Sequence, residues 1–154
     1  MSSDSSQFIK YEIIKVSNSD IFNELVHKTY DFISFLDNFY PEFNLWFYEK
    51  VVPGLMSGER EIFCAIEDDE VIGVAITKRT CHESKICTLY VDKAHRGKGV
   101  GALLVKTSAD WLQTDVPTFS APLSVYGEVE CFFKKTGLVV IKKRRVEQSE
   151  VVYN

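Results

Sequence analysis

Six consecutive residues, Arg96-Gly97-Lys98-Gly99-Val100-Gly101, stand between an apolar run and an amphipathic one. Three of the six are glycines and two are cations. The run before them, Lys85 to Val91 (KICTLYV), reads as a buried strand. The run after them sets Val100, Leu103, Leu104, Thr107, Trp111 and Leu112 at helical spacing, with Asp115 and Pro117 expected to close the helix. A helix start presents unpaired backbone N–H groups and about half a positive charge. Glycines remove the side chains that would hold an anion away from those donors. The segment therefore predicts an anion site for phosphate or pyrophosphate, and it plants a strand–loop–helix unit in the middle of the chain.

Two familiar phosphate loops do not explain it. The Walker pattern G-x-x-x-x-G-K-[ST] is absent. Gly97-x-Gly99-x-x-Ala102 formally satisfies the dinucleotide fingerprint G-x-G-x-x-G/A. In that motif, however, the first glycine turns directly off its strand. Here Asp92 to Arg96 intervene after Val91, and the motif follows a hairpin in the second half of the chain.

The remaining chain alternates period. Phe8 to Ser17 reads as a strand, and Ile21 to Asp37 as an amphipathic helix behind Asp20. Phe43, Trp46, Phe47 and Val51 give a second, shorter helical stripe, which Pro53 and Gly54 are expected to break or kink. Glu61 to Glu67 and Val71 to Lys78 are apolar runs joined by an Asp68-Asp69 hairpin turn. Thr118 to Pro122 reads as a strand, Glu128 to Lys135 as a short helix stopped by Gly137, and two strands follow. This order predicts a three-layer α/β/α domain around a mixed, mostly antiparallel sheet of about six to seven strands. Residues 1–7 form a polar tail and residues 8–154 a single domain.

Composition narrows the function classes. Apolar residues make up 45% of the 154, enough for a sizeable core. A net charge of −4 argues against a nucleic-acid footprint. No run approaches the roughly 20 apolar residues of a membrane span, and the start has no signal-peptide character, so a cytoplasmic protein is expected. Cys64, Cys81, Cys87 and Cys131 form no C-x-x-C pair and should stay thiols. Cys81-His82…Cys87 lacks the spacing and the fourth ligand of a common zinc site, so no metal is expected.

The stretch LYVDKAHRGKGVGALLV resembles the acetyl-CoA-binding motif of the GNAT superfamily of N-acetyltransferases. Arg96, Gly99 and Gly101 fill its pattern [R/Q]-x-x-G-x-[G/A]. The order of elements resembles the GNAT fold along almost the whole chain, and Phe132 to Leu138 (FFKKTGL) resembles a late family segment. The resemblance implies acetyl-CoA as cosubstrate and an amine as acceptor, either a small molecule or a protein. It implies that the backbone of Leu89, Tyr90 and Val91 pairs with the pantetheine arm. The amides of Arg96, Gly97, Lys98, Gly99, Val100, Gly101 and Ala102 would cradle the pyrophosphate. Thr118 to Ala121 would splay from Lys85 to Val91 to open a slot. A homodimer fits the resemblance too.

In this family the amine attacks the thioester directly, so side chains handle protons only. A tyrosine acid often stands four residues before the glycine of the late segment. Here that position is Phe133, which cannot donate a proton. Tyr126 and Glu128 are the candidate catalytic residues in its place, with His82 and His95 as possible bases. A non-catalytic acyl-CoA-binding regulator is the alternative that Phe133 motivates. By the same resemblance the acceptor pocket lies between the early helices and the sheet. Phe32, Phe35, Phe39, Tyr40, Trp46, Phe47 and Tyr48 there are either core or an aromatic wall for an amine. Lys142 to Arg145 is read as a solvated strand edge.

Overall fold

A computed structural model describes residues 10–115, 117–122, 143–146 and 150–153. Seven strands among them join one sheet in the order β1-β2-β3-β4-β5-β7-β6. β1 (Glu12–Lys15), β2 (Arg60–Glu67), β3 (Glu70–Arg79) and β4 (Ser84–Val91) pair antiparallel in succession. β5 (Thr118–Pro122) joins β4 in parallel. β7 (Glu150–Tyr153) pairs antiparallel with β5, and β6 (Lys143–Val146) antiparallel with β7, at the edge. The Lys142 to Arg145 run thus falls on an edge strand over its described part.

Local chemistry explains the tight turns. Asp68 and Asp69 both take left-handed backbone (φ 51° and 66°), the turn that matches the twist of a two-residue hairpin. β2 and β3 are covered on both sides, which is why their apolar runs are nearly continuous. On one face Ile62, Cys64, Val74 and Ile76 pack against α1 (Phe22–Ile33), Phe43, Phe47, Val51 and Leu55. On the other, Phe63, Ala65, Ile72, Ala75 and Val91 pack against Val100 and Leu104 of α4 (Val100–Leu112). Gly73 permits that second contact. A Cβ there would stand 3.0 Å from Leu104 Cδ1 and 3.1 Å from Val100 Cγ1.

Three expectations are corrected. The first helix stops at Ile33 and continues as a 3-10 turn, Ser34–Asn38. Pro53 and Gly54 do not break the second. Its chain runs from α2 (Phe43–Trp46) through a π turn (Phe47–Val51) into α3 (Val52–Ser57). The wider π turn lies just ahead of Pro53, where the ring would otherwise clash with the preceding turn. α4 is closed by Gln113 in the left-handed conformation (φ 60°), ahead of Asp115 and Pro117.

One buried carboxylate ties the first strand in. Glu61 accepts from the Ser17 N–H at 3.0 Å, from the Ser17 hydroxyl at 2.5 Å and from the Ile62 N–H at 3.1 Å. Three donors satisfy a charge that burial alone would expel.

Candidate functional site

β4 and β5 touch only briefly. Lys85 pairs with Thr118 and Ile86 with Phe119. Beyond that point β4 continues along β3 to Val91, while β5 continues along β7 to Pro122. The sheet therefore opens between them, and backbone groups of β4 from Cys87 onward have no β5 ladder to complete. The opening begins at a bulge. Ile76 faces Thr88 and Thr77 faces Ile86, so Cys87 is the extra residue on β4.

The glycine segment stands at the open end of this gap. Asp92 follows β4 and accepts a hydrogen bond from the Ala94 N–H, closing a 3-10 turn over Lys93–His95. Gly97 (φ 79°) and Gly99 (φ 88°) are left-handed, which a side chain would strain. Leu103 N–H makes the first helical bond, to the Gly99 carbonyl at 3.0 Å. The amides of Val100, Gly101 and Ala102 are therefore helix-end donors. A Cβ added to Gly97 or Gly99 would meet nothing within 4 Å, so open space lies over the loop. Donors, space and the nearby cations Arg96 and Lys98 suit a pyrophosphate.

Arg96 is spent partly on the protein itself. Its Nε donates to the Val91 carbonyl at 3.0 Å, and its guanidinium lies 5.3 Å from the Tyr90 ring centroid. Tyr90 in turn packs on Phe32 and Phe35, at 5.4 and 4.7 Å between centroids. Its side chain therefore faces the α1 layer. Only its backbone is left for a ligand in the gap.

A sequence model of the Acetyltransferase (GNAT) family matches residues 20–119, more than half of the chain. The chain belongs to the GNAT family. Its fold is that of solved members. A GNAT-family protein from Desulfovibrio desulfuricans superposes with a TM-score of 0.72 at 15% identity, over 93% of this chain and 96% of that one. A GNAT-family acetyltransferase from Staphylococcus aureus Mu50 gives 0.66 at 14% identity, over 94% and 98%. The PaiA N-acetyltransferase of Thermoplasma acidophilum, solved with coenzyme A, gives 0.59 at 14% identity, over 95% and 99%. No curated protein matches the chain by sequence. Among the described residues of this GNAT chain, no helix is long and apolar enough to cross a membrane.

A histidine clamp holds the GNAT loop to the sheet. His95 Nδ1 lies 2.8 Å from Asp92 Oδ2, and His95 Nε2 lies 2.9 Å from Glu67 Oε1. Two carboxylates at opposite nitrogens favour the doubly protonated ring. The hydrogen bond with Asp92, then that with Glu67, raises the His95 pKa above its ordinary value. The His95 hydrogen bond holds Asp92 below the usual carboxylate range. The His95 contribution is fully present below the ring's unfolded pKa and is lost as pH rises through the raised folded value. The Asp92 contribution fades only at acid pH, as the carboxylate is protonated through its depressed value. His95→Ala is therefore expected to lower Tm by about 1–3 °C at pH 6 and by less at pH 9. Thermal scans of both proteins across that range check it, and a pH-independent gap would contradict the clamp.

Sequence reasoning offered His95 as a possible base, whereas both its ring nitrogens meet carboxylates, and it missed Glu67, 28 residues away. It also missed the bulge at Cys87. His82 sits in the exposed turn before β4, its N–H donating to Thr80 Oγ1. The aromatic set divides. Phe47 is fully buried with Tyr30 and Tyr48 around it, while Phe39 is exposed. Cys64 is a core thiol beside Thr29, its pKa pushed up to about 12 by burial. Tyr126, Glu128, Cys131 and Phe133 lie outside the described residues, as do residues 1–7.

Proposed function

We propose that this GNAT protein moves an acetyl group from acetyl-CoA to a primary amine that attacks the thioester directly. One observation carries the reading: β4 and β5 part after Ile86 and Phe119, beside a glycine-lined helix start. The amides from Arg96 to Ala102 would hold the pyrophosphate. The backbone of Leu89, Tyr90 and Val91, on the side of β4 that β5 has left, would pair with the pantetheine arm, as an added strand pairs with a sheet edge. The coenzyme supplies an activated acetyl group as a thioester. The protein supplies orientation: two reactants held on opposite sides of one gap meet without a search. One N–H of the Leu89 to Val91 strand end would polarise the thioester carbonyl.

The face used by each reactant follows from the layers. The loop that opens α4 belongs to the α4 layer, so the coenzyme would enter there. The acceptor then comes from the α1–α3 side, where Cys87 and Tyr90 pack. Tyr126 and Glu128 are our candidates for the proton-handling groups.

Incubation with acetyl-CoA and an amine panel, with thiol detection, tests this directly. We expect saturable acetyl-CoA binding by calorimetry and CoA release with some amine. Binding without release across the panel would favour a non-catalytic acyl-CoA-binding regulator, the reading that Phe133 motivates. Absence of binding would overturn both.

A further inference from the structure

The acceptor side of the gap carries a row of cations that the coenzyme does not need. Arg60 on β2 pairs with Lys78 on β3, Lys78 with Lys85 on β4, and Lys85 with Thr118 on β5. Residues directly opposite one another share a face of the sheet. Three positive side chains therefore line up across it, ending at the place where β4 and β5 still touch. This is the far end of β4 from the glycine loop, on the opposite face from α4. A phosphate held by the loop does not account for them.

Among the described residues, Glu83 is the acid that enters the row, held by Lys78 at 2.8 Å. Three cations and one carboxylate leave a surplus of two positive charges among the described residues. Glu83 also feels Lys85 and Arg60, at longer range than Lys78. Among the described residues, Arg60 Nη1 hydrogen-bonds only the Cys87 sulfur, a weak acceptor, at 3.6 Å. No described carboxylate lies within ion-pair distance of it. Yet the fold is shaped to hold it there. Its guanidinium lies 5.6 Å from the Trp46 ring centroid. Its stem passes over Gly54, where a Cβ would come within 2.7 Å of Arg60 Cγ and Cδ. A half-buried guanidinium is a planar fork suited to bidentate recognition of a carboxylate.

We propose that Arg60 and Lys85 bind a carboxylate of the acceptor, so that the substrate is a small amine with an acid group only a few bonds away. The inference rests on the transferase reading and names its acceptor class. The spacing follows from Cys87. The bulge marks the start of the gap, where the acetyl group would be delivered, and Arg60 touches that same residue. A carboxylate on Arg60 therefore places a nearby amine at the gap. The Trp46 ring, 5.6 Å from the guanidinium, would help to hold it in place.

The test compares small amino acids with the matching amino alcohols, whose amines have similar basicity. Acetyl-CoA and thiol detection give kcat/KM for each, and calorimetry gives the acetyl-CoA affinity of every variant. Wild type is expected to prefer the acid by about tenfold or more. Arg60→Gln and, independently, Lys85→Gln should bring that ratio toward one, mainly through KM. Arg60→Lys should restore part of it. A merely structural role would lower both rates together and leave the ratio alone. Wild type turning over the alcohols as well as the acids would overturn the proposal, as would an unmoved ratio in both variants. In either case turnover itself leaves the transferase reading standing. No CoA release with any amine would overturn that reading and this inference with it.

Discussion

A chain with Gly97→Val and Gly99→Val is expected to fold but to bind acetyl-CoA at least about a hundredfold more weakly. Both glycines are left-handed, at φ 79° and 88°. A β-branched residue in that region costs about 1–2 kcal/mol at each position. The loop escapes the strain by rotating those peptides, because open space surrounds both positions. That escape preserves the core and destroys the binding surface. The amides of Val100, Gly101 and Ala102 would no longer converge, and two branched side chains would fill the space proposed for the pyrophosphate. Calorimetry measures the loss, and circular dichroism shows whether helix and sheet content survive. An affinity within threefold of wild type in a folded double variant would remove the pyrophosphate from this loop.

The largest expected effect on stability lies elsewhere. Phe47→Ala should cost about 3–5 kcal/mol. Phe47 is fully buried in the π turn, with ring centroids of Tyr30 at 5.3 Å and Tyr48 at 5.1 Å. The turn sits in a continuous helical stretch whose next segment carries Pro53 near its start, so local backbone shifts that would fill the cavity are restricted. Urea denaturation gives the number. Phe39→Ala is the control, since Phe39 is 57% exposed and its loss should stay within about 0.5 kcal/mol. A Phe47→Ala cost below about 1 kcal/mol would mean that the aromatic cluster repacks around the gap.

What could be read in advance was local. A glycine that must turn left-handed, a helix that starts beside it and the aspartate pair of a two-residue hairpin all act over a few residues. Spacing therefore reveals them. The family likeness rested on the same short stretch plus the order of the elements. What stayed hidden depends on partners far away in the chain. Cys87 is a bulge only because Thr77 pairs with Ile86 and Ile76 with Thr88. His95 is a clamp only because Glu67 arrives from the end of β2. Arg60 reads as one more strand-edge cation until Trp46, Gly54 and Cys87 surround it. Pro53 looked like a breaker because its cost is local and the π turn that relieves it follows no simple period.

The brief meeting of β4 and β5 also bears on how the chain folds. β1 through β4 are antiparallel neighbours, and three of these strands follow one another through short turns. Their contacts close small loops and form early. The β4–β5 contact is parallel, has two registered pairs, and must wait for the whole of α4 to cross over. Loop-closure entropy puts it late, with little ladder to reward it. The two halves of the sheet are thus joined last and most weakly along the line where the coenzyme would lie. A ligand spanning that line would act as a stitch, and refolding in its presence should lock the halves together sooner.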